Sequence, residues 1–189
     1  MPLVLPALFA LQIATNPVAT VRTYLDAMRA FDVDGMHAVL AENYRLVDDD
    51  GSSRLHDRTR ARPIVEWERG MNARWSYRVL SVRADTVTTL VEEESEYFTL
   101  LGLERGVQVR SYIVRDGKIA ESRGHLFVTA RSSQSEAVGA FKTWLRANAD
   151  RPDPDLISPE GGLRLTKESV RPMLYWMGRW RAAVDQAKR

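Results

Sequence analysis

Residues 107–128, VQVRSYIVRDGKIAESRGHLFV, decide the fold. Two runs rich in Val, Ile, Tyr and Phe flank Arg115-Asp116-Gly117-Lys118. An Asp-Gly pair between such runs marks a β-hairpin, because the reversing backbone needs positive φ and glycine supplies it without strain. Each arm is about ten residues, long for a globular strand, which favours a strongly curved sheet. Both arms carry polar groups in their middles: Arg110, Ser111 and Tyr112 on one, Glu121, Ser122, Arg123 and His125 on the other. Mid-strand charges mean that one face meets water or that one face lines a polar cavity. The loop length decides which residues share a face. With a two-residue Asp116-Gly117 loop, Tyr112 lies opposite Glu121 and Arg110 opposite Arg123, together with His125. With a three-residue loop and a glycine bulge, Arg110 and Tyr112 share a face with Ser122, Gly124 and Leu126.

Working outward, a period of two also runs through 75–82 and 86–101, the latter read as one long strand with the glutamates of 92–96 on a solvated face. The N-terminal part is helical. Asn16 suits an N-cap and Pro17 the first helical position, and Val18, Val21, Tyr24, Leu25 and Met28 repeat at helical spacing. Asp32 caps a second, shorter helix with Met36, Val39 and Leu40. A short strand at 44–47 ends in the turn composition Asp48-Asp49-Asp50-Gly51. A third helix is expected over about 60–73, with Pro63 tolerable only near its start and Ile64, Trp67 and Met71 as its apolar face. After Thr129 the strands stop. Ser135 caps a helix to about residue 147, residues 149–164 are a Pro-, Asp- and Gly-rich loop, and a last helix runs to about 187 with Ser169 as its N-cap. This order is α+β: a cone-shaped, curved antiparallel sheet with N-terminal helices over its concave face, plus C-terminal helices. The expected division is an apolar arm or signal remnant at 1–15, one domain at 16–131 and a helical extension at 132–189.

A chain of 189 residues supports one good core and is short for two ordinary domains. Acids (25) nearly match bases (27), and no basic stripe interleaves with aromatics, so no nucleic-acid partner is expected. The densest basic run, Arg58-Thr59-Arg60-Ala61-Arg62, sits between Asp57 and Glu66 and reads as a solvated helix start. The absence of cysteine excludes disulfides, a thiolate nucleophile and cysteine-based metal sites. His37 and His56 show no ligand spacing, so no metal and no cofactor are expected. The apolar run at 2–13 is too short to span a bilayer and lacks a positive n-region. A cytoplasmic location is expected, or export if residues 1–15 act as a signal.

In its first helix with Tyr24, the link Phe31-Asp32-Val33-Asp34-Gly35-Met36, the strand ending at Asp48 and the turn Arg115-Asp116-Gly117-Lys118-Ile119, the chain resembles the NTF2-like superfamily, in its SnoaL-like and ketosteroid-isomerase-like branch. The resemblance covers about 16–129. It implies a conical pocket for a small, largely apolar molecule, and it speaks for the fold far more than for the chemistry. Matched to ketosteroid isomerases, Tyr24 takes the place of the oxyanion-hole tyrosine and Asp48 that of the general base. Arg110 stands where those enzymes carry a protonated aspartate. The last-strand acid of SnoaL-like cyclases is replaced by Gly124. Limonene-epoxide-hydrolase-like enzymes need an arginine with two aspartates, of which Arg110 and Asp48 supply two of the three.

The candidate catalytic residues are therefore Asp48, Tyr24 and Arg110, with Tyr112, Trp67 and Ser122 as candidate substrate-binding residues. Each has a structural counter-reading. Asp48 opens a turn in which aspartates bond to local amides, Tyr24 packs as a core tyrosine, and Arg110 is a surface residue if it faces outward. Two functions stand side by side: an isomerase, cyclase or hydrolase with Asp48 as base, or a non-catalytic ligand-binding or dimerisation module. The sheet's broad convex face, apolar and charged together, suggests a homodimer.

Overall fold

The computed structural model describes residues 16–47, 51–56, 58–126, 128–149, 153 and 155–189. Asp48 and the apolar run at 2–13 lie outside them.

Helix α1 (Pro17–Arg29) starts as its sequence dictates: the Asn16 side chain accepts a hydrogen bond from the Val18 amide at 3.0 Å, and Pro17 takes the first turn. Its buried residues, Val21, Tyr24, Leu25 and Met28, form one stripe. Asp32 caps α2 (Val33–Ala38) through the Gly35 amide at 2.9 Å. Strand β1 (Leu40–Val47) begins earlier than the short strand expected, and β2 (Ser53–Leu55) pairs back on it. Helix α3 (Arg58–Gly70) holds Pro63 inside rather than at its start, at the cost of the bond that its missing amide hydrogen would make.

Strands β3 (Arg74–Arg83) and β4 (Thr86–Glu94) follow. The single strand expected over 86–101 is corrected here. The chain leaves the sheet after Glu94, Ser95 caps α4 (Glu96–Leu101) through the Phe98 amide, and Gly102 closes the helix at φ 79°. Tyr97, Phe98 and Leu101 leave the strand for a helical face because that face buries all three. Strands β5 (Gly106–Arg115) and β6 (Lys118–Leu126) form the long hairpin, and α5 (Val128–Asn148) and α6 (Lys167–Ala187) complete the chain. The N-cap of α6 is Thr166, with Ser169 one turn inside, where its Oγ accepts from the Thr166 amide at 3.2 Å.

The sheet order is β2-β1-β6-β5-β4-β3, curved and unclosed. All neighbours are antiparallel except β1 and β6, which run parallel. The hairpin loop has two residues: Arg115 pairs with Lys118, and Asp116 (φ 51°) and Gly117 (φ 74°) both take the left-handed backbone that such a loop demands. Between the pairs Val114–Ile119 and Ile113–Glu121, however, β6 carries one extra residue, Ala120. This bulge restores the other register, with Tyr112 opposite Ser122 and Arg110 opposite Gly124. The expectation that a two-residue loop sets Tyr112 opposite Glu121 and Arg110 opposite Arg123 is thus corrected. The bulge, and not the loop, sets the face.

Two main cores result. One lies between α1 and the concave face of the sheet, with Val21, Leu25, Val87, Val91, Tyr112 and Ile119 at its centre. The second joins Trp67 and Met71 of α3 to α4, α5 and α6 through Phe98, Phe141, Met173 and Met177. Helix α3 contributes to both sides, since Ala61 and Val65 also pack with Val33 of α2.

Candidate functional site

The cone over the concave face encloses about 150 Å³. Met28, Ile64, Val65 and Val91 are apolar wall, and Tyr24, Glu68, Trp75, Arg110, Tyr112 and His56 bring the polar groups. Each arrives by simple periodicity. Arg110 and Tyr112 lie two apart on β5, on the face shared with Ser122. Glu68 follows Ile64 and Ala61 down one side of α3.

Arg110 is half-buried and donates from Nε to Gln108 Oε1 at 2.8 Å. Its guanidinium is ringed by the phenols of Tyr112, Tyr24 and Tyr44. Burial works against its charge and the tyrosine oxygens work for it, and the balance lies above the ordinary arginine value. Burial also raises the tyrosines: Tyr24 stands well above its usual range, and Tyr112 is pushed up to about 12 although Arg110 pulls it down. The Tyr24 and Tyr112 rings lie 5.7 Å apart. The Tyr44 hydroxyl is engaged with Ser122 Oγ at 2.6 Å, whereas the Tyr112 hydroxyl lies beside Arg110 and Thr89 without a hydrogen bond of good geometry to either.

Glu68 is the group that reading the sequence missed. Burial pushes its carboxyl up to about 8, neighbouring Glu93 pushes in the same direction, and Arg110 pulls it back in part. Glu93 is pushed up to about 7 by burial, against a hydrogen bond from Ser95. The expected solvated face is corrected accordingly: Glu92 pairs outward with Arg105 at 3.0 Å, but Glu93 follows Val87, Thr89 and Val91 onto the concave side. The signal was present in both cases. Helical spacing from Ala61 and Ile64 marks Glu68, and strand alternation from Val91 marks Glu93.

Of the residues singled out in the sequence, Tyr24, Arg110 and Tyr112 line the cavity together, and Ser122 sits behind them, 1% exposed, on Tyr44. Trp67 does not join them. It packs edge-on to Tyr97 at 5.3 Å in the second core, on the far side of α3. Asp48 is outside the described residues. Among the described residues, no group of three or more His, Cys, Asp or Glu is placed to hold a metal ion, and no helix is long and apolar enough to cross a membrane.

A curved sheet closed over a conical cavity by α1 and α3 is the NTF2-like architecture. Within that class, residues 15–130 match the model of the limonene-1,2-epoxide hydrolase catalytic domain, and the chain belongs to this family. No curated protein matches the chain in sequence. Among solved structures it is similar to IdmH of Streptomyces antibioticus, assigned as a polyketide cyclase, at 13% identity and a TM-score of 0.50, over 64% of this chain and 99% of that one. It is also similar to an LEH-like epoxide hydrolase of M. tuberculosis, at 15% identity and a TM-score of 0.47, over 67% and 95% of the two chains. At these identities the likeness is one of fold.

Proposed function

We propose that the protein binds a small, largely apolar molecule in the cone and acts on it by proton transfer, as an isomerase, cyclase or hydrolase. The observation that carries this reading is Glu68: a carboxyl inside an apolar cavity, held protonated to about 8, beside Arg110. A neutral carboxylic acid at pH 7 is a proton donor ready for an oxygen in a substrate. Arg110, Tyr24 and Tyr112 are proposed to hold that oxygen where negative charge develops. Asp48 is proposed as the base, Ser122 as the anchor of Tyr44, and Trp67 as the backing of α3. The volume favours a small monocyclic substrate, since a cavity of about 150 Å³ holds a benzene-sized molecule, and it disfavours polycyclic ones.

Replacing Glu68 by Gln removes the donated proton and keeps the shape. Turnover across a panel of small cyclic epoxides and unsaturated ketones is expected to fall at least about 100-fold, with folding unchanged by circular dichroism. Unchanged turnover rules out Glu68 as the acid.

A second reading, a non-catalytic binder, is favoured by one observation. The described cavity residues include a single acid, Glu68, where limonene-epoxide-hydrolase-like enzymes set an arginine with two aspartates. Thermal stabilisation by ligand without turnover of any panel member supports it. The convex face is further proposed to pair two copies of the chain, since it sets the apolar Leu90, Val107 and Val109 beside the charged Arg78, Glu92 and Arg123. Light scattering at a monomer mass would remove that part.

A further inference from the structure

The groups left without partners at the polar end of the cavity are donors. Tyr112 is 1% exposed and its hydroxyl lacks a hydrogen-bond partner, and the indole N–H of Trp75 is likewise buried and unpartnered. Both residues line the cavity. Arg110 uses Nε on the neutral Gln108 Oε1 and makes no ion pair among the described residues, so the rest of its donor fork faces the cavity with phenols around it. Beside it, Gly124 leaves room: a Cβ there would meet nothing within 4 Å. Glu68 does not supply the missing anion near neutrality, because its burial favours the neutral form. A half-buried guanidinium among neutral groups is an incomplete arrangement, since a charge removed from water is costly unless it is paired. A hydroxyl-bearing or ketone ligand would satisfy one donor and leave the charge unmatched. A carboxylate accepts from several donors at once and matches the planar fork.

We propose that the natural ligand of the cavity is a small monocyclic carboxylate, its two oxygens taken by the free fork of Arg110 with Tyr112 and Trp75, its ring among Met28, Val65 and Val91. This rests on the cavity being the binding site proposed above, and it adds the chemical class. The charge balance also gives a pH dependence. The titratable groups that share the cavity with Glu68 on α3 are Tyr24 from α1, His56 from the β2–α3 connection, Arg110 and Tyr112 from β5, with Glu93 of β4 behind. Of the two carboxyls, Glu68 is the one that lines the cavity, and its ionisation near 8 places a second negative charge beside the ligand.

Benzoate and benzamide, each of about nine heavy atoms, suit a cavity of this size and differ in charge. By calorimetry with the full chain at pH 7, benzoate is expected to bind on the order of tenfold or more tightly than benzamide. Its affinity is expected to fall as pH rises through about 8, and Glu68→Gln to flatten that fall. Arg110→Gln is expected to abolish the preference, and Ile64→Trp, at a position 38% exposed on the cavity wall, to block both ligands. Benzamide binding as tightly as benzoate would overturn the carboxylate while leaving the cavity reading in place. Failure of both ligands to bind would overturn both readings. Benzoate binding that survives both substitutions lies elsewhere and also overturns the proposal.

Discussion

The chemistry of the cavity condenses onto one residue, Glu68, and its pH behaviour can be given a sign. In the unfolded chain a glutamate titrates near 4.5, while in the fold Glu68 keeps its proton to about 8. Between those values the folded state binds more protons than the unfolded one, so stability falls as pH rises through this window and is unaffected below it. Glu93 adds to the fall up to about 7. Urea denaturation is therefore expected to give a midpoint that declines from pH 5 to pH 8.5. Glu68→Gln should decline less and be the more stable protein at pH 8.5, by on the order of 1–3 kcal/mol. Parallel profiles for the two proteins would show that the carboxyl is already ionised near its usual value. Glu68 was legible in principle, at helical spacing from Ala61 and Ile64. A glutamate on a helix is ordinarily a solvated residue, and only the closure of α3 over the sheet buries this one.

At the level of elements, the hairpin shows how far local pattern reaches. Its existence, its Asp116-Gly117 turn and the alternation along its arms follow from residue types with known backbone demands. The bulge at Ala120 does not, since an alanine in a strand carries no signal of an unpaired position. Yet that residue decides which side chains face the cone. Deleting Ala120 with the turn intact is expected to give an unbulged ladder with the same pairs, Ile113 opposite Glu121, Tyr112 opposite Ser122 and Arg110 opposite Gly124, and to keep the Tyr44–Ser122 hydrogen bond, because the residue removed is the unpaired one. The cost should therefore stay within about 2 kcal/mol, that of losing the local bend and twist the bulge gives β6. Chemical denaturation that finds a loss well beyond that would mean that the bulged geometry itself, and not only the register, holds the inner face together. Helix α4 was hidden for a related reason. The run Tyr97-Phe98-Thr99-Leu100-Leu101 suits a strand as well as a helix, and only Ser95 before it and Gly102 after it reveal the caps.

For the molecule as a whole, the sequence points to a curved sheet with N-terminal helices over its concave face and further helices after it, and the structure has that form. It did not show where the last two helices dock, because amphipathic stripes name a buried face without naming its partner. They dock on α3. At Gly70 the approach of α6 is so close that a Cβ would lie 2.6 Å from Val170 Cγ2, and one turn earlier Trp67 enters the second core. One side of this thirteen-residue helix thus holds Glu68, Val65 and Ile64 to the cavity, and another is bolted to the C-terminal layer. A helix shared in this way acts as a balance beam. Whatever a ligand gains or loses by shifting it is charged equally to the packing of α6, and any partner that grips the C-terminal helices sets, by the same reciprocity, how tightly the cone closes on its contents.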